Sequence, residues 1–365
     1  TDLVNWTYRK PTLRPNPGDP DVGIFSGNAF VGPDGKPMLC WFGIDAGVCV
    51  ATAKDSELLA WEKHPSNPVI PIPEGGNTVF GKSAGPDRYF VWDPYMWYEN
   101  ETYYCLLGGN ALPDGKDTLY LLKSTDLRNW QPLHPFYEHA DPTWTVPGED
   151  CSCPDFFSLG NKHVLLCISH SVGGRCYIGD YKNERFFPQR HVRMNWPGGN
   201  FFAPESLVDD EGRRVFWGWV TDPRAISTQV ATGSGAMSLP RIMSLTNENR
   251  LAIRPAGELE ALRRNHRKIS EVALPADRDV DLQIRGKHLE LGVELDGRDA
   301  REIGLKVRCS PDGQEETIIM YSPVARQISI DATNSTLRRD VIYSYHPLDT
   351  CLLYTSDAAD DPTLV

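Results

Sequence analysis

No stretch of the 365 residues approaches the roughly 20 consecutive apolar positions that a bilayer-crossing helix needs. The chain is also short of positive charge: 37 Lys and Arg stand against 49 Asp and Glu, a formal net charge of -12. Nucleic acid and anionic membrane both require a basic face, so neither is expected as a partner, and a neutral or weakly charged small molecule fits better. The opening residues Thr1-Asp2-Leu3-Val4-Asn5-Trp6 have neither an initiator methionine nor the layout of a secretory leader. The chain therefore reads as cut from something longer, which leaves its compartment open. Nine cysteines are an odd number, and most, such as Cys40, Cys105 and Cys167, lie in strand-like apolar runs where a thiol acts as a small hydrophobe. Cys151 and Cys153 form a Cys-x-Cys with no second half, and the histidines lack ligand spacing, so no zinc site is expected.

What is present concentrates in one segment, Pro147-Gly148-Glu149-Asp150-Cys151-Ser152-Cys153-Pro154-Asp155-Phe156-Phe157-Ser158-Leu159. The Pro-Gly pair turns the chain and delivers Glu149 and Asp150, while Pro154 restrains the backbone before an aromatic strand. A carboxylate held against apolar walls loses hydration, and its pKa climbs toward the range of a general acid. The alternative is that both acids are solvated turn residues. Repetition favours the chemical reading, because similar stretches recur at Gly23–Asn28, Val91–Trp97 and Asn200–Ser206. Their anchors, Ser26, Asp93, Glu149 and Glu205, are separated by 67, 56 and 56 residues.

Residues 1 to about 250 consist of short runs of Val, Ile, Tyr, Phe and Trp broken by Gly, Pro, Asn and Asp, with almost no amphipathic helix, which predicts an all-β fold. Pro33-Asp34-Gly35, Pro113-Asp114-Gly115 and Asp209-Asp210-Glu211-Gly212 read as hairpin turns. A second repeat, Asp2-Leu3-Val4-Asn5-Trp6, Glu57-Leu58-Leu59-Ala60-Trp61 and Asp126-Leu127-Arg128-Asn129-Trp130, shares an acid, a leucine and a tryptophan at matching offsets. Units recurring at roughly 40 to 70 residues are the signature of a β-propeller, whose innermost strands carry distant residues to one axial funnel.

The expected boundaries are a propeller over 1–254, a linker helix over 255–268, a partial sandwich over 269–348 and a non-native tail over 349–365. Pro255–Arg264 has early acids, late basics and leucines three apart, which predicts a short helix. Beyond it, Leu289–Leu295, Ile303–Arg308, Ile318–Tyr321 and Gln327–Ile330 alternate as the strands of a β-sandwich. Cys351–Asp361 has no partner pattern and reads as a cloning or sequencing scar, so the sandwich is expected to be incomplete.

From Thr1 to about Tyr345 the chain resembles glycoside hydrolase family 32, the β-fructosidases that include invertases, levanases and inulinases. The motifs that carry the resemblance run in order: Asp2–Trp6, Gly23-Ile24-Phe25-Ser26-Gly27, Trp92-Asp93-Pro94 with Trp97, Cys153-Pro154-Asp155-Phe156-Phe157, Trp217-Gly218-Trp219, Ser238-Leu239-Pro240-Arg241 and Gly304-Leu305-Lys306-Val307-Arg308. The resemblance implies a five-bladed β-propeller, its first blade incomplete, followed by a C-terminal β-sandwich. It also implies retaining hydrolysis of a fructoside such as sucrose, levan or inulin, so an oligosaccharide or smaller sugar as substrate, with no metal or organic cofactor. Retention needs two carboxylates about 5 Å apart, one as nucleophile and one as acid. A third carboxylate, in the family's Arg-Asp-Pro motif, binds fructose hydroxyls, and here it is Asp93.

Three departures stand out. The family nucleophile lies in an Asn-Asp-Pro-Asn-Gly motif that these residues do not contain. Where the family has Glu-Cys-Pro, this chain has Ser152-Cys153-Pro154, and serine cannot serve as general acid; Glu149, Asp150 and Glu205 stay open as substitutes. Trp92 replaces the arginine of Arg-Asp-Pro, exchanging charged hydrogen bonds for a stacking face. The expected catalytic residues are thus Glu149, Asp150 and Asp93. Phe25, Ser26, Trp92, Glu205 and Trp41 are expected to bind substrate, with Trp97, Trp217 and Trp219 as further funnel candidates. The rival readings are a family 43-like arabinan- or xylan-acting glycosidase and a carbohydrate-binding propeller without catalysis.

Overall fold

Short runs with apolar residues on both faces can be buried only if each sheet is sandwiched between neighbours, and this is how the chain folds. The computed structural model describes residues 2–73, 90–109, 117–195, 201–221, 235–297, 299–337 and, as backbone, 345–347. The predicted turn at Pro113–Gly115, residue Asn200 and the tail after 347 lie outside them.

One unit comprises Thr7–Thr221 with Gly235–Arg254. Its described residues form four antiparallel sheets, each a blade of up-and-down strands. The first holds β1 (Ala29–Val31), β2 (Pro37–Gly43), β3 (Gly47–Ala53) and β4 (Trp61–Lys63), with β5 (Ile70–Pro71) paired to β3. The second holds β6 (Tyr95–Glu99), β7 (Thr102–Leu107), β8 (Tyr120–Ser124) and β9 (Gln131–Pro135). The third holds β10 (Ser152–Leu159), β11 (Lys162–Ser169), β12 (Gly173–Lys182) and β13 (Arg185–Arg193). The fourth holds β14 (Phe201–Val208), β15 (Arg214–Thr221), β17 (Arg241–Leu245) and β18 (Leu251–Pro255), with β16 (Gly235–Met237) beside β15. The sequence leads to an expectation of five blades with an incomplete first; the described residues supply these four.

The period of two decides which blade each side chain serves. Along β2, Met38, Cys40 and Phe42 join a core that continues into the second blade through Met96, Tyr103, Cys105 and Leu107. Leu39 and Trp41 point the other way, toward Cys49, Ala51 and Leu13. Along β7, Tyr103 and Cys105 face the first blade, while Leu106 meets Phe156, Leu165 and Tyr177 of the third. Cys40, Cys105 and Cys167 are buried free thiols within these layers.

The leucine-tryptophan repeat marks a particular turn. Leu58 lies between β3 and β4 and Leu127 between β8 and β9, each at the last turn of its blade, and both adopt a positive φ, 57° and 60°. Asp126 Oδ1 accepts from the amides of Arg128 and Asn129 at 2.9 and 2.8 Å, an Asx turn that closes the corner. Asp2 builds the same turn around Leu3, accepting from Asn5 N at 2.8 Å, with Leu3 at φ 54°.

The second unit includes the described residues from Pro255 onward. The predicted helix is a short 3₁₀ segment, Gly257–Leu262, with Ala256 at its N-cap and no side-chain cap. Leucines three apart match the 3₁₀ repeat as well as the α-helical one, and without a cap the shorter form is what remains. β19 (Ile303–Val307), β20 (Thr317–Ser322), β21 (Gln327–Asp331) and β22 (Tyr345–Pro347) form one antiparallel sheet, one layer of the sandwich. Leu289–Leu295 differs from expectation: it makes no strand ladder, and Leu291, Val293 and Leu295 lie along an apolar groove over Leu305, Ile319 and Tyr321. Alternation alone creates two faces, but a strand also needs a partner edge for its amides.

Candidate active site

The innermost strands of the second, third and fourth blades break their regular backbone at equivalent places. Asp93, Cys153 and Ala203 have positive φ of 37°, 46° and 42°, and each stands directly before a proline. The ladder shifts register there, between Ser152 and Asp155 in the third blade and between Phe202 and Glu205 in the fourth. A residue before proline is sterically disfavoured in the right-handed helical region, and a left-handed residue in a strand re-aims its neighbours. The structural repeat is therefore Asp93, Cys153 and Ala203. Glu149 lies outside that register, which corrects the spacing inferred from acidic anchors. In the first blade Phe25-Ser26-Gly27 runs beside β2, Phe25 N donating to Phe42 O at 2.9 Å and Phe42 N to Ser26 O at 2.8 Å. A Cβ on Gly27 would come within 2.0 Å of Cys40 O, so only glycine permits this approach.

Immediately beyond the break, each blade fastens to the next. Asn28 Nδ2 donates to Met96 O at 2.9 Å, and Tyr95 Oη donates to Phe156 O at 2.8 Å. The Ser206 hydroxyl donates to Asp155 Oδ2. Glu205 is the fourth member of this row. With Asn28, Tyr95, Asp155, Ser206 and Arg214 it lines a cavity of about 480 Å³. Burial pushes the Asp155 carboxyl up to about 6, against the opposing pull of Ser206 and Arg214. Burial, then the charges of Asp155 and Asp93, push Glu205 well above the ordinary carboxylate range. The two acids titrate as a pair rather than singly.

One step back along the strands, Asp93 is buried and its Oδ2 accepts from Cys153 N at 3.1 Å and from Cys153 Sγ at 3.3 Å. Ser26 Oγ lies 3.6 Å from the same sulfur. Asp93 Oδ1 has no hydrogen-bond partner, although the Ser26 hydroxyl is near enough to favour the charged form. Burial nonetheless raises the Asp93 pKa, with Cys153, Ser26 and the more distant His170 resisting. Trp92 wedges between Phe25 and Phe42, with ring centroids 5.5 and 5.1 Å away, and Phe25 is 47% exposed at the rim.

Glu149 and Asp150 take different surroundings. Glu149 is 1% exposed and bound by two guanidinium groups, Arg193 Nη2 at 3.1 Å and Arg175 Nη1 at 3.5 Å. Arg175 is fully buried, pairs with Asp117 at 3.2 Å and donates to Asp150 O. Asp117 also accepts from Tyr137, Tyr177 and Thr145 at 2.6, 2.7 and 2.7 Å. Asp150 instead faces Ser152 and His170: Ser152 Oγ donates to its Oδ2 at 2.7 Å, His170 Nδ1 lies 2.7 Å from the same oxygen, and His170 N donates to Oδ1 at 2.8 Å. Burial pushes Asp150 up, but the His170 contacts and the Ser152 hydroxyl outweigh it and leave the carboxyl below its usual range. His170 is raised, first by its bond to Asp150, against partial burial, and further by the charges of Asp150 and Asp93.

The structure thus brings Ser26 and Asp93 together around Cys153, sets Phe25 against Trp92 and joins Asp150 to Ser152, with Glu205 close enough to Asp93 to feel its charge. Trp41 is not among them: it is 2% exposed on the opposite face of β2, its indole N–H donating to Asp21 at 3.2 Å. Trp97 stacks on Tyr104 at 5.0 Å. Trp219 is 41% exposed and meets Phe202, whose ring in turn lies 5.6 Å from His170. His170 and Asp155 carry no role in the sequence reading. Asp155 stood within a quoted motif, and the signal for His170 is the β10–β11 hairpin: extending the Ser152↔Ile168 pairing by two residues sets Asp150 opposite His170.

Comparison with known proteins places this geometry in a family. Residues 1–255 match the Glycosyl hydrolases family 32 N-terminal domain, and residues 258–350 match the Glycosyl hydrolases family 32 C terminal. Beta-fructofuranosidase, insoluble isoenzyme CWINV3, of Arabidopsis thaliana is 29% identical over 301 residues, 72% of this chain and 48% of that protein. Sucrose-6-phosphate hydrolase of Escherichia coli is 27% identical over 351 residues, 88% of this chain and 68% of that protein. Among solved structures, sucrose-6-phosphate hydrolase from Lactobacillus gasseri superposes with a TM-score of 0.64 at 15% identity, covering 95% of this chain and 70% of that one. The chain spans about half the length of the plant relative. With both domain matches in chain order, it belongs to glycosyl hydrolase family 32.

Proposed function

We propose that the protein of which these residues are a part hydrolyses a β-fructoside with retention, the fructosyl unit seated over Asp93. The observation that carries this reading is the buried, half-satisfied Asp93 carboxylate, whose Oδ1 lacks a donor that a sugar hydroxyl would supply. Phe25 and Trp92 give that seat an apolar wall, and Trp219 with Phe202 adds aromatic faces near His170. Several relatives are named for fructoside chemistry, among them Fructan 1-exohydrolase w2 of Triticum aestivum. In the family the attacking carboxylate stands in an Asn-Asp-Pro-Asn-Gly motif, which these residues do not contain. Of the three acids open to the donor role, Glu149 is committed to two arginines and Asp150 to a histidine, so neither carboxyl is placed to give up a proton, while Glu205, beside Asp155 in the cavity, stays open.

The domain limits 1–254, 255–268, 269–348 and 349–365 belong to the same proposal. The test is release of free fructose from sucrose, inulin and levan by the longer protein, with arabinan and xylan as controls. Fructose release supports the reading. Pentose release instead favours a family 43-like activity, and tight sugar binding without turnover favours a binding propeller.

A further inference from the structure

Ser152 occupies the place of the family's proton donor and cannot fill its role, yet its hydroxyl is hydrogen-bonded to a carboxylate that also grips an imidazole. We infer that His170, oriented by Asp150, is the group that protonates the leaving oxygen; this rests on the fructoside hydrolase reading and assigns a catalytic residue within it. Three geometric facts support the assignment. His170 Nδ1 is held by Asp150 and its backbone N–H by the other carboxylate oxygen, so the ring is fixed at two points. Nε2 is the remaining ring nitrogen, and the side chain is 51% exposed, so a substrate can reach it. The ring stands against Phe202 at 5.6 Å, on the aromatic side of the cleft that Trp219 extends.

The charged groups facing the ring are Asp150, from the segment before β10, and Asp93, from the segment before β6. Both carboxylates favour imidazolium, the form that carries a proton on Nε2, over the neutral ring. The order of roles is that of a carboxylate-oriented histidine: the acid fixes tautomer and angle, the imidazole moves the proton.

In the first half-reaction the Nε2–H proton passes to the glycosidic oxygen. The bond from that oxygen to the anomeric carbon breaks with its electron pair on oxygen, and the carboxylate nucleophile takes the carbon. In the second half-reaction the neutral imidazole accepts a proton from water as the water oxygen displaces the carboxylate, which restores imidazolium and frees the sugar. One fructoside and one water give one fructose and one alcohol.

The experiment uses the full-length protein, its His170→Gln and Ser152→Glu variants and the double variant, assayed on sucrose and on a nitrophenyl β-fructoside across pH. His170→Gln is expected to lower kcat on sucrose by about 10²- to 10⁴-fold, the usual worth of a positioned acid, yet to change the nitrophenyl rate by less than about tenfold, because that leaving group departs without a proton. The alkaline fall in the wild-type pH profile disappears in His170→Gln, and Ser152→Glu in that background restores turnover of sucrose. A purely structural histidine would slow both substrates alike. Retention of sucrose turnover and of the alkaline limb by His170→Gln overturns the inference while leaving the fructoside reading intact. A folded wild type that releases fructose from neither substrate overturns both.

Discussion

Asp150 holds His170 through both of its oxygens, Oδ2 at 2.7 Å from the ring nitrogen and Oδ1 at 2.8 Å from the backbone nitrogen. The pair links the third blade's innermost strand to the end of the strand beside it, and it lowers one pKa while raising the other.

That coupling gives a pH-dependent stability. The Asp150 contribution is present above the unfolded value near 3.9 and disappears as pH falls through its lower folded value; the His170 contribution is present below about 6.5 and disappears as pH rises through its higher folded value. Asp150→Asn is therefore expected to cost most near pH 5 to 6, about 0.5–1 kcal/mol after solvent screening of a half-exposed ring, and less at pH 9. Urea denaturation at the two pH values measures it, and the His170 ring proton should titrate lower in the variant. An equal cost at both pH values would argue that the bond is not ionic.

Arg175 joins Asp117, Glu149 and the backbone of Asp150, so it anchors the segment that presents Asp150 and Ser152. Arg175→Met takes the fully buried cation away from Asp117 and Glu149, leaving Glu149 with Arg193 alone, and the expected loss is about 3–5 kcal/mol. Glu149→Gln keeps shape and some hydrogen bonds and should cost about 1–3 kcal/mol, with kcat on sucrose changed less than about threefold. Denaturant midpoints and initial rates on the same samples separate the two effects. A large fall in kcat with unchanged stability would return Glu149 to the chemistry.

Asp155 and Glu205 are carboxyls whose folded pKa values lie above their unfolded ones, about 6 for Asp155 and well above the usual range for Glu205. The folded state therefore binds their protons more tightly, and the stability this provides is lost as pH rises from about 4 through the folded values. Glu205→Gln removes a buried titrating carboxyl from the cavity, and it should raise Tm at pH 8 by about 2–4 °C, the shift that about 1 kcal/mol produces in a domain of this size, with a smaller change at pH 4. Calorimetry at both pH values is the check; a lower Tm at pH 8 would mean that Glu205 is stabilised as an anion.

Much of the fold was readable because it depends on local chemistry. Leucines with an acid before them and a tryptophan after them are the last turns of blades, and Trp41 follows the pleat away from the cleft because the period of two allows nothing else. The site was half readable. Asp93 and Ser26 lie on quoted motifs and meet around Cys153. The repeat was misplaced onto Glu149 because acids were counted, whereas the backbone repeats at the residue before each proline, Asp93, Cys153 and Ala203. His170 had no local pattern at all: it is twenty positions from Asp150, and only hairpin register brings the two together. Buried networks such as Asp117 with Arg175 were hidden for the same reason, since they are long-range pairings without periodicity.

The most direct test of the central claim is the rate of fructose release from sucrose by Asp93→Asn in the full-length protein, with circular dichroism to establish folding. Removing a preorganised charge that faces the sugar should lower kcat by about 10²- to 10³-fold with little change in Tm. A folded Asp93→Asn variant that releases fructose at the wild-type rate would contradict the account.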